Sequence, residues 1–568
     1  MWSLFFGDSH QKSEAMNSTI LFLAMAMTIM LLVPGAHGQQ QPKVRKLSPK
    51  SSSASSSASS SASSSVSSSA SSSNSANSCD DLEMIIADLE SNLCSPAPTP
   101  GPTELCYGDD TKEEYLLSIL TSITDEAILL DEDTPQGMAF DYLLDNDICG
   151  KTTIEQRYGL ATLYFATNGL SWTNNEGWLG ENQECEWYGV ICDTNPRATD
   201  LVLATNNLDG KVPNEISTLF MLEKLDLSAN SIRDTIPDGL SLLTRLEVLD
   251  LQKNLLEGPA FPNSITGLST LESYRVNSNS LSGTVPSEIG NLQSLEELWA
   301  ADNEVTGTLP TELGNLIRLK YFELQENKIS GALPSEIGRI PLEDIRVYSN
   351  FLQNTIPSQL FSVTSLRSIR FEKNFLYGPL PSQIGLLTDL ENLRLQENNL
   401  SGQIPSEIGR TTSLETLRLD NNFWVGTIPD VFQYFENLEF FDISNNLLTG
   451  SIPTTLFSIP AIRLVYMSNC SLSGAIPEEY ANPPLLRDLW LDGNGITGTV
   501  PSISSGKLEN LNELLLHDNF VSGSMPESIC DLRFEDFLDD LWSDCGGLNP
   551  KIACDFPNCC NRCFEAEC

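Results

Sequence analysis

The stretch Leu390-Glu-Asn-Leu393-Arg-Leu395-Gln-Glu-Asn398-Asn-Leu400-Ser-Gly402-Gln-Ile404-Pro405 holds one complete structural unit. Leu393 and Leu395 flank Arg394, the alternation of a short strand with one face buried, so Arg394 points outward. Asn398 falls where the chain turns inward, and its amide can satisfy backbone groups that no strand ladder reaches. Pro405 fixes φ and limits helix, which leaves an extended or turn conformation there.

Working outward, the Asn398 position recurs at Asn206, Asn230, Asn254, Asn279, Asn303, Asn327, Asn350, Asn374, Asn422, Asn446, Asn494 and Asn519, with Cys470 replacing it once. The steps are 23 to 25 residues, and fourteen units at one period define a repeat array. At the Gly402 position twelve units have glycine, and the exceptions are Asp234 and Asn354. Asp and Asn are the residues that best tolerate positive φ, so the position selects backbone conformation and not side-chain size. Every unit then carries a proline, from Pro213 to Pro526.

These units resemble the plant-type leucine-rich repeat with its Leu-x-Gly-x-Ile-Pro signature, over roughly Glu155 to Pro526. The resemblance implies an α/β solenoid, a right-handed superhelix of about 14 repeats whose Leu-x-Leu strands form a parallel concave β-sheet. Upstream, Thr167-Asn-Gly169, Trp172, Trp178 and Cys185-Glu-Trp187-Tyr-Gly189-Val190-Ile-Cys192 resemble the N-terminal cap of plant extracellular repeat proteins. That resemblance implies a Cys185–Cys192 disulfide. The stretch Ser118 to Trp172, with Asp544-Cys545 and the Cys554 to Cys568 cluster, is similar to secreted repeat proteins of unicellular algae such as diatoms. Disulfide-rich caps at both ends would close a core that otherwise exposes apolar surface.

The flanks divide accordingly. Residues 1–38 read as a signal peptide, with an apolar run from Ile20 to Pro34, small residues after it and an alternative start at Met16. The competing reading anchors the chain in a membrane through residues 20–34; the basic residues Lys43, Arg45, Lys46 and Lys50 disfavour it. Residues 39–78 form a Ser/Ala-rich tether with nothing to bury, 79–150 a small acidic Cys-containing region of short helices, and 151–200 the N-terminal cap. Residues 201–526 hold the repeats and 527–568 a Cys-rich C-terminal cap. The 14 cysteines cluster near the ends, as disulfides in an oxidising compartment would. Cys470, in the place of an inward-pointing Asn, reads as a buried free thiol.

With 32 basic against 76 acidic residues the chain carries a net charge of -44, which argues against nucleic acid or anionic membrane as a general partner. No catalytic residues are assigned. His10 and His37 belong with the leader, and a lone His517 on an outward strand face makes a Ser-His-Asp system improbable. Acidic runs such as Asp131-Glu132-Asp133 lack the spacing of a calcium loop, and no cofactor or metal site is expected. Asn399-Leu-Ser401 and Asn469-Cys-Ser471 fit the glycosylation acceptor pattern.

The residues between the paired leucines form a column if the strands are in register: Val202, Asp226, Asp250, Arg275, Trp299, Glu323, Arg346, Arg370, Arg394, Arg418, Asp442, Tyr466, Trp490 and Leu515. Four consecutive arginines, with Trp299, Tyr348, Tyr466 and Trp490, are of the types that dominate interfaces, and they make the candidate ligand-binding set. The competing reading pairs the arginines with carboxylates on the same face, such as Glu323, Glu372, Asp420 and Asp442. Without a kinase domain or a second apolar span before Cys568, the expectation is a secreted or cell-surface recognition or adhesion protein. It would bind an extracellular protein, peptide or acidic polysaccharide and would need a membrane co-receptor to signal. An inhibitor of a foreign cell-wall hydrolase and a structural component of the extracellular matrix or wall are the alternatives.

Overall fold

The computed structural model describes residues 109–146, 154–534 and 538–544, together with 552–553, 559 and 562–563. The apolar run at 20–34, the Ser-rich tether and Cys79, Cys94, Cys106, Cys149, Cys545, Cys554, Cys560 and Cys568 lie outside the described residues.

Each repeat contributes a three-residue strand, and in the unit quoted above it is Asn392–Arg394. It pairs in parallel with Ser368–Arg370 on one side and Thr416–Arg418 on the other, Leu393 lying opposite Ile369 and Leu417. Among the described residues seventeen strands, these included, make one sheet. It opens with Val190–Cys192, antiparallel to Ala198–Val202, and runs through the fourteen repeats. Two further strands, Asp540–Ser543 and Arg562–Cys563, then extend it into the region read from sequence only as a cap. Beyond the turn, Asn399–Gly402 belongs to a second, ten-stranded parallel ladder. Pro405 is extended (φ -68°, ψ 136°) and leads into the 3-10 turn Ser406–Arg410, which returns the chain to the next strand.

The asparagines at the turns, most of them buried and Asn230 and Asn279 partly so, bridge neighbouring coils. Asn398 donates through Nδ2 to the carbonyls of Phe371 (3.0 Å), Leu395 (3.1 Å) and Gln396 (3.3 Å), while its Oδ1 accepts from Leu376 N–H (3.0 Å). The same pattern repeats at Asn374 and Asn422. A buried carbonyl left unpaired costs about 1–3 kcal/mol, so this ladder is what makes a tight, water-free turn tolerable. The reading of the glycine position also holds: Gly402 has φ 85°, and the two exceptions, Asp234 and Asn354, have φ 74° and 72°.

Inward-facing leucines and isoleucines from every repeat form one continuous buried core. Its N-terminal end is closed by four helices, α1 (Asp109–Leu120), α2 (Glu126–Leu129), α3 (Pro135–Asp145) and α4 (Ile154–Ala166). Beneath them Tyr164, Trp172 and Trp178 pack edge to face, and Trp187 lies tilted against Trp178. Arg157 on α4 is fully buried and donates to Glu184, to the Tyr142 hydroxyl on α3 (2.6 Å) and to the Gly180 carbonyl (3.2 Å). This charged knot, absent from the sequence reading, ties the helices to the cap. The Cys185–Cys192 disulfide is present, and Cys530–Cys559 binds the C-terminal end.

Candidate recognition face

A strand of three residues can bury only its middle side chain, so its first and third residues must face out. The register is unbroken, so the third residues line up as one column: Arg346 opposite Arg370, Arg370 opposite Arg394, Arg394 opposite Arg418. The column continues through Asp442, Tyr466, Trp490 and Leu515 to Trp542. Trp542 was missed, although Leu538-Asp-Asp-Leu541-Trp542-Ser543 keeps the Leu-x-x-Leu-x spacing of a repeat.

The four arginines are not equivalent: three pair with carboxylates, among them Glu323, Glu372, Asp420 and Asp442, which the competing sequence reading named. Arg346 pairs with Asp344 (2.6 Å) and Glu323 (2.8 Å), Arg370 with Glu372 (2.7 Å), and Arg418 with Asp420 (3.2 Å) and Asp442 (3.5 Å). Arg370 also lies over the Tyr348 ring at 4.3 Å, and Arg418 over Phe440 at 5.2 Å. Three guanidiniums thus find carboxylates on their own face, because a two-residue step along the strand or one strand across suffices to reach one.

Arg394 differs. Among the described residues it has no carboxylate within ion-pair distance, and its Nε is shielded from solvent with no acceptor. Its own neighbours along the strand are Asn392 and Gln396, and the next carboxylate on the face, Glu372, is engaged by Arg370. Burial first, and then the Arg370 charge, holds the Arg394 guanidinium below its usual value. Beside it, Glu372 Oε2 and Gln396 Oε1 are buried acceptors with no donor. Donors and acceptors left unpaired side by side match a ligand that carries both, as a peptide does.

Toward the C-terminal end the column turns aromatic. Tyr466 stacks on Trp490 with ring centroids 4.1 Å apart, and Phe440 meets Tyr466 edge to face at 5.3 Å. The polar tips are held by acids: Tyr466 donates to Asp488 (3.1 Å) and Trp490 Nε1 to Glu513 (3.0 Å). At the other end Trp299 lies under the Arg275 guanidinium at 4.4 Å. His517 packs on Trp542 at 5.4 Å, with Asp492 at 3.8 Å from Nε2. Among the described residues no group of His, Cys, Asp and Glu side chains is placed to hold a metal ion, and no helix is long and apolar enough to cross a membrane.

With this geometry established, comparison with known proteins places the chain. Residues 412–472 match one family model described as leucine rich repeat, and residues 221–243 and 389–411 match another. A probable leucine-rich repeat receptor-like protein kinase of Arabidopsis thaliana is 46% identical over 43 residues, 8% of this chain and 4% of that protein. Among solved structures, a TDR receptor is 30% identical with a TM-score of 0.56, over 58% of this chain and 57% of that one. The plant peptide hormone receptor RGFR1, in complex with RGF2, is 26% identical with a TM-score of 0.53, over 60% of this chain and 58% of that one. PEPR1 with AtPEP1 gives 27% and 0.53, over 63% and 56%. The chain therefore spans less than two thirds of the length of each of these relatives. The finer resemblance to algal secreted proteins gains no support from these matches, which are to plant receptors. Repeat models, parallel ladders and solved neighbours agree on the architecture: the fold is a leucine-rich-repeat solenoid similar to those plant receptors.

Proposed function

We propose that this chain is an extracellular, non-enzymatic recognition protein that captures a carboxylate-bearing peptide on the face centred at Arg394. The observation that carries the reading is the unpaired guanidinium of Arg394 in a column whose other arginines all have partners. A half-shielded cation without a counterion is costly, and a bidentate carboxylate would offset that cost better than water. Adjacent strands are about 4.8 Å apart, so the five steps from Arg370 to Trp490 span roughly 24 Å, the length of about seven extended residues. An acidic residue over Arg394 would then place an apolar side chain on the Tyr466–Trp490 stack. The net charge of -44 slows approach of an anion, so affinity would come from close contact more than from steering. The comparison with RGFR1 and RGF2 supports a peptide as ligand class, since that neighbour is a peptide hormone receptor.

The test is titration of the protein with a panel of extended peptides of about eight residues, with and without a carboxylate and an aromatic residue, beside an acidic polysaccharide. Carboxylated peptides are expected to bind, and Arg394→Glu to weaken them about tenfold or more, with Arg394→Lys weakened less. Equal binding by Arg394→Glu, or preference for the polysaccharide, would overturn the peptide reading.

A further inference from the structure

The second ladder carries an apolar stripe that faces solvent. The first residues of five successive strands are Phe351, Phe375, Asn399, Phe423 and Leu447, and the third residues of the middle three are Tyr377, Ser401 and Val425. Every apolar member is 39–54% exposed. Phe351 and Phe375 already stack on one another at 6.1 Å, their planes nearly parallel at 10°. Soluble proteins seldom leave contiguous aromatic surface uncovered.

The only polar side chains in the middle of that frame are Asn399 and Ser401, and together with Leu400 they spell the N-glycosylation acceptor. In the register, Asn399 lies opposite Tyr377, and Ser401 opposite Phe423. Asn399 is exposed and takes no part in the asparagine ladder, which uses Asn398. The apolar stripe is thus interrupted at one strand, and the interruption is the sequon. The other sequon among the described residues, Asn469-Cys-Ser471, lacks such a frame: Asn469 sits at a left-handed turn (φ 53°) and Ser471 is registered against Thr449.

We propose that Asn399 carries an N-linked glycan and that its first N-acetylglucosamine lies on the ladder between Phe375, Tyr377 and Phe423. A pyranose ring has one face of C–H bonds, which packs on an aromatic face as an apolar group does, while its hydroxyls remain in water. Tyr377 lies one strand spacing, about 4.8 Å, from Asn399, and Phe423 the same from Ser401, which leaves both rings within reach of a sugar joined to the asparagine Nδ2. The glycan is then the cover of the stripe, keeping the lateral face from self-association while the strand face of the main sheet stays open. The assignment rests on the extracellular placement proposed above, since only a chain that enters the secretory route meets the transferring enzyme.

The experiment is expression of the full chain in a eukaryotic secretory host, followed by mass spectrometry of the Asn399 peptide before and after treatment with peptide N-glycosidase. A hexosamine-bearing Asn399, converted to Asp by the enzyme, is expected. Chain recovered from the medium with Asn399 unmodified would overturn the site and leave the recognition reading standing. Chain retained in the cytosol would overturn both. The covering role is tested on folded protein by removing the glycan in two stages, first to a single N-acetylglucosamine and then completely, and by the variant Ser401→Ala. Full removal and Ser401→Ala should each raise apolar-dye fluorescence about twofold or more and promote self-association, while the single sugar should not. Equal dye binding and equal monomer content in all four forms would show that the sugar does not lie on the stripe.

Discussion

Arg370 donates to Glu372 Oε1 at 2.7 Å, two residues along the same strand, while Oε2 of that buried carboxylate has no partner. Among the described residues Arg370 is the one cation in ion-pair contact with Glu372, whereas Arg394 beside it makes no ion pair and feels Glu372 only at longer range. Removing one partner of such a pair leaves an uncompensated charge, so Arg370→Ala should destabilise the fold by about 1–3 kcal/mol. Arg394→Gln should be neutral or mildly stabilising, because it removes a cation squeezed between two others. Urea unfolding of both variants checks this, and equal destabilisation would show that Arg394 is structurally paired after all.

Asp442 supplies a pH dependence. Burial, and after it the Asp420 charge, pushes its carboxyl up to about 7, against the opposing effects of Ser444 hydrogen bonds and the Arg418 charge. An acid whose folded pKa exceeds its unfolded value of 3.8 favours the folded state while protonated. That contribution is lost as pH rises from about 4 through about 7, and it amounts to roughly 2 kcal/mol or more. Asp442→Asn should match the unmodified protein near pH 4 and exceed its stability near pH 8, on the order of that difference. Denaturant midpoints at the two pH values decide it; a variant that loses stability at high pH would mean that the Arg418 pair dominates.

Cys470 marks the one weak rung of the ladder. Its thiol donates to the carbonyls of Ile443 (3.4 Å) and Ser468 (3.7 Å), where an asparagine would also accept from the preceding coil. Cys470→Asn should therefore stabilise by about 1 kcal/mol, and Asn398→Ala should cost about 2–4 kcal/mol by stranding several buried groups. Burial pushes the Cys470 thiol up to about 11, so iodoacetamide at neutral pH should label it only on unfolding. Rapid labelling of native protein would contradict that burial.

The Cys185–Cys192 bond closes a short loop over the first strands, beside the tryptophan cluster. Replacing both by Ser should remove about 2–4 kcal/mol, felt at the N-terminal end because coils contact only their neighbours. Hydrogen exchange should rise in residues 154–202 well before the repeats near Arg394. A uniform rise along the array would show that the caps and the repeats unfold together.

The repeat period, the strand face and the inward asparagine were legible in the sequence because each is imposed locally. Alternation selects which side chain is buried, and only glycine, or Asp234 and Asn354 in its place, accepts the positive φ after each turn. The column of outward residues followed, because a fixed period in a parallel sheet fixes the register. The sequence offered Glu323, Glu372, Asp420 and Asp442 as partners for the column, but it could not state which arginine each one meets. Arg346, Arg370, Arg394 and Arg418 occupy one equivalent position, and only the placement of Asp344, Glu372 and Asp420 around them leaves Arg394 alone. Nor did any local signal announce the residue before each asparagine. Lys373, Glu397, Asn421 and Ala229 all take left-handed φ of 54–56°. That conformation costs roughly 1 kcal/mol or more for residues with a Cβ. The hydrogen bonds that coils exchange across the turn, such as Glu397 N–H to the Asp420 carbonyl, outweigh it, and they exist only once the next coil is in place.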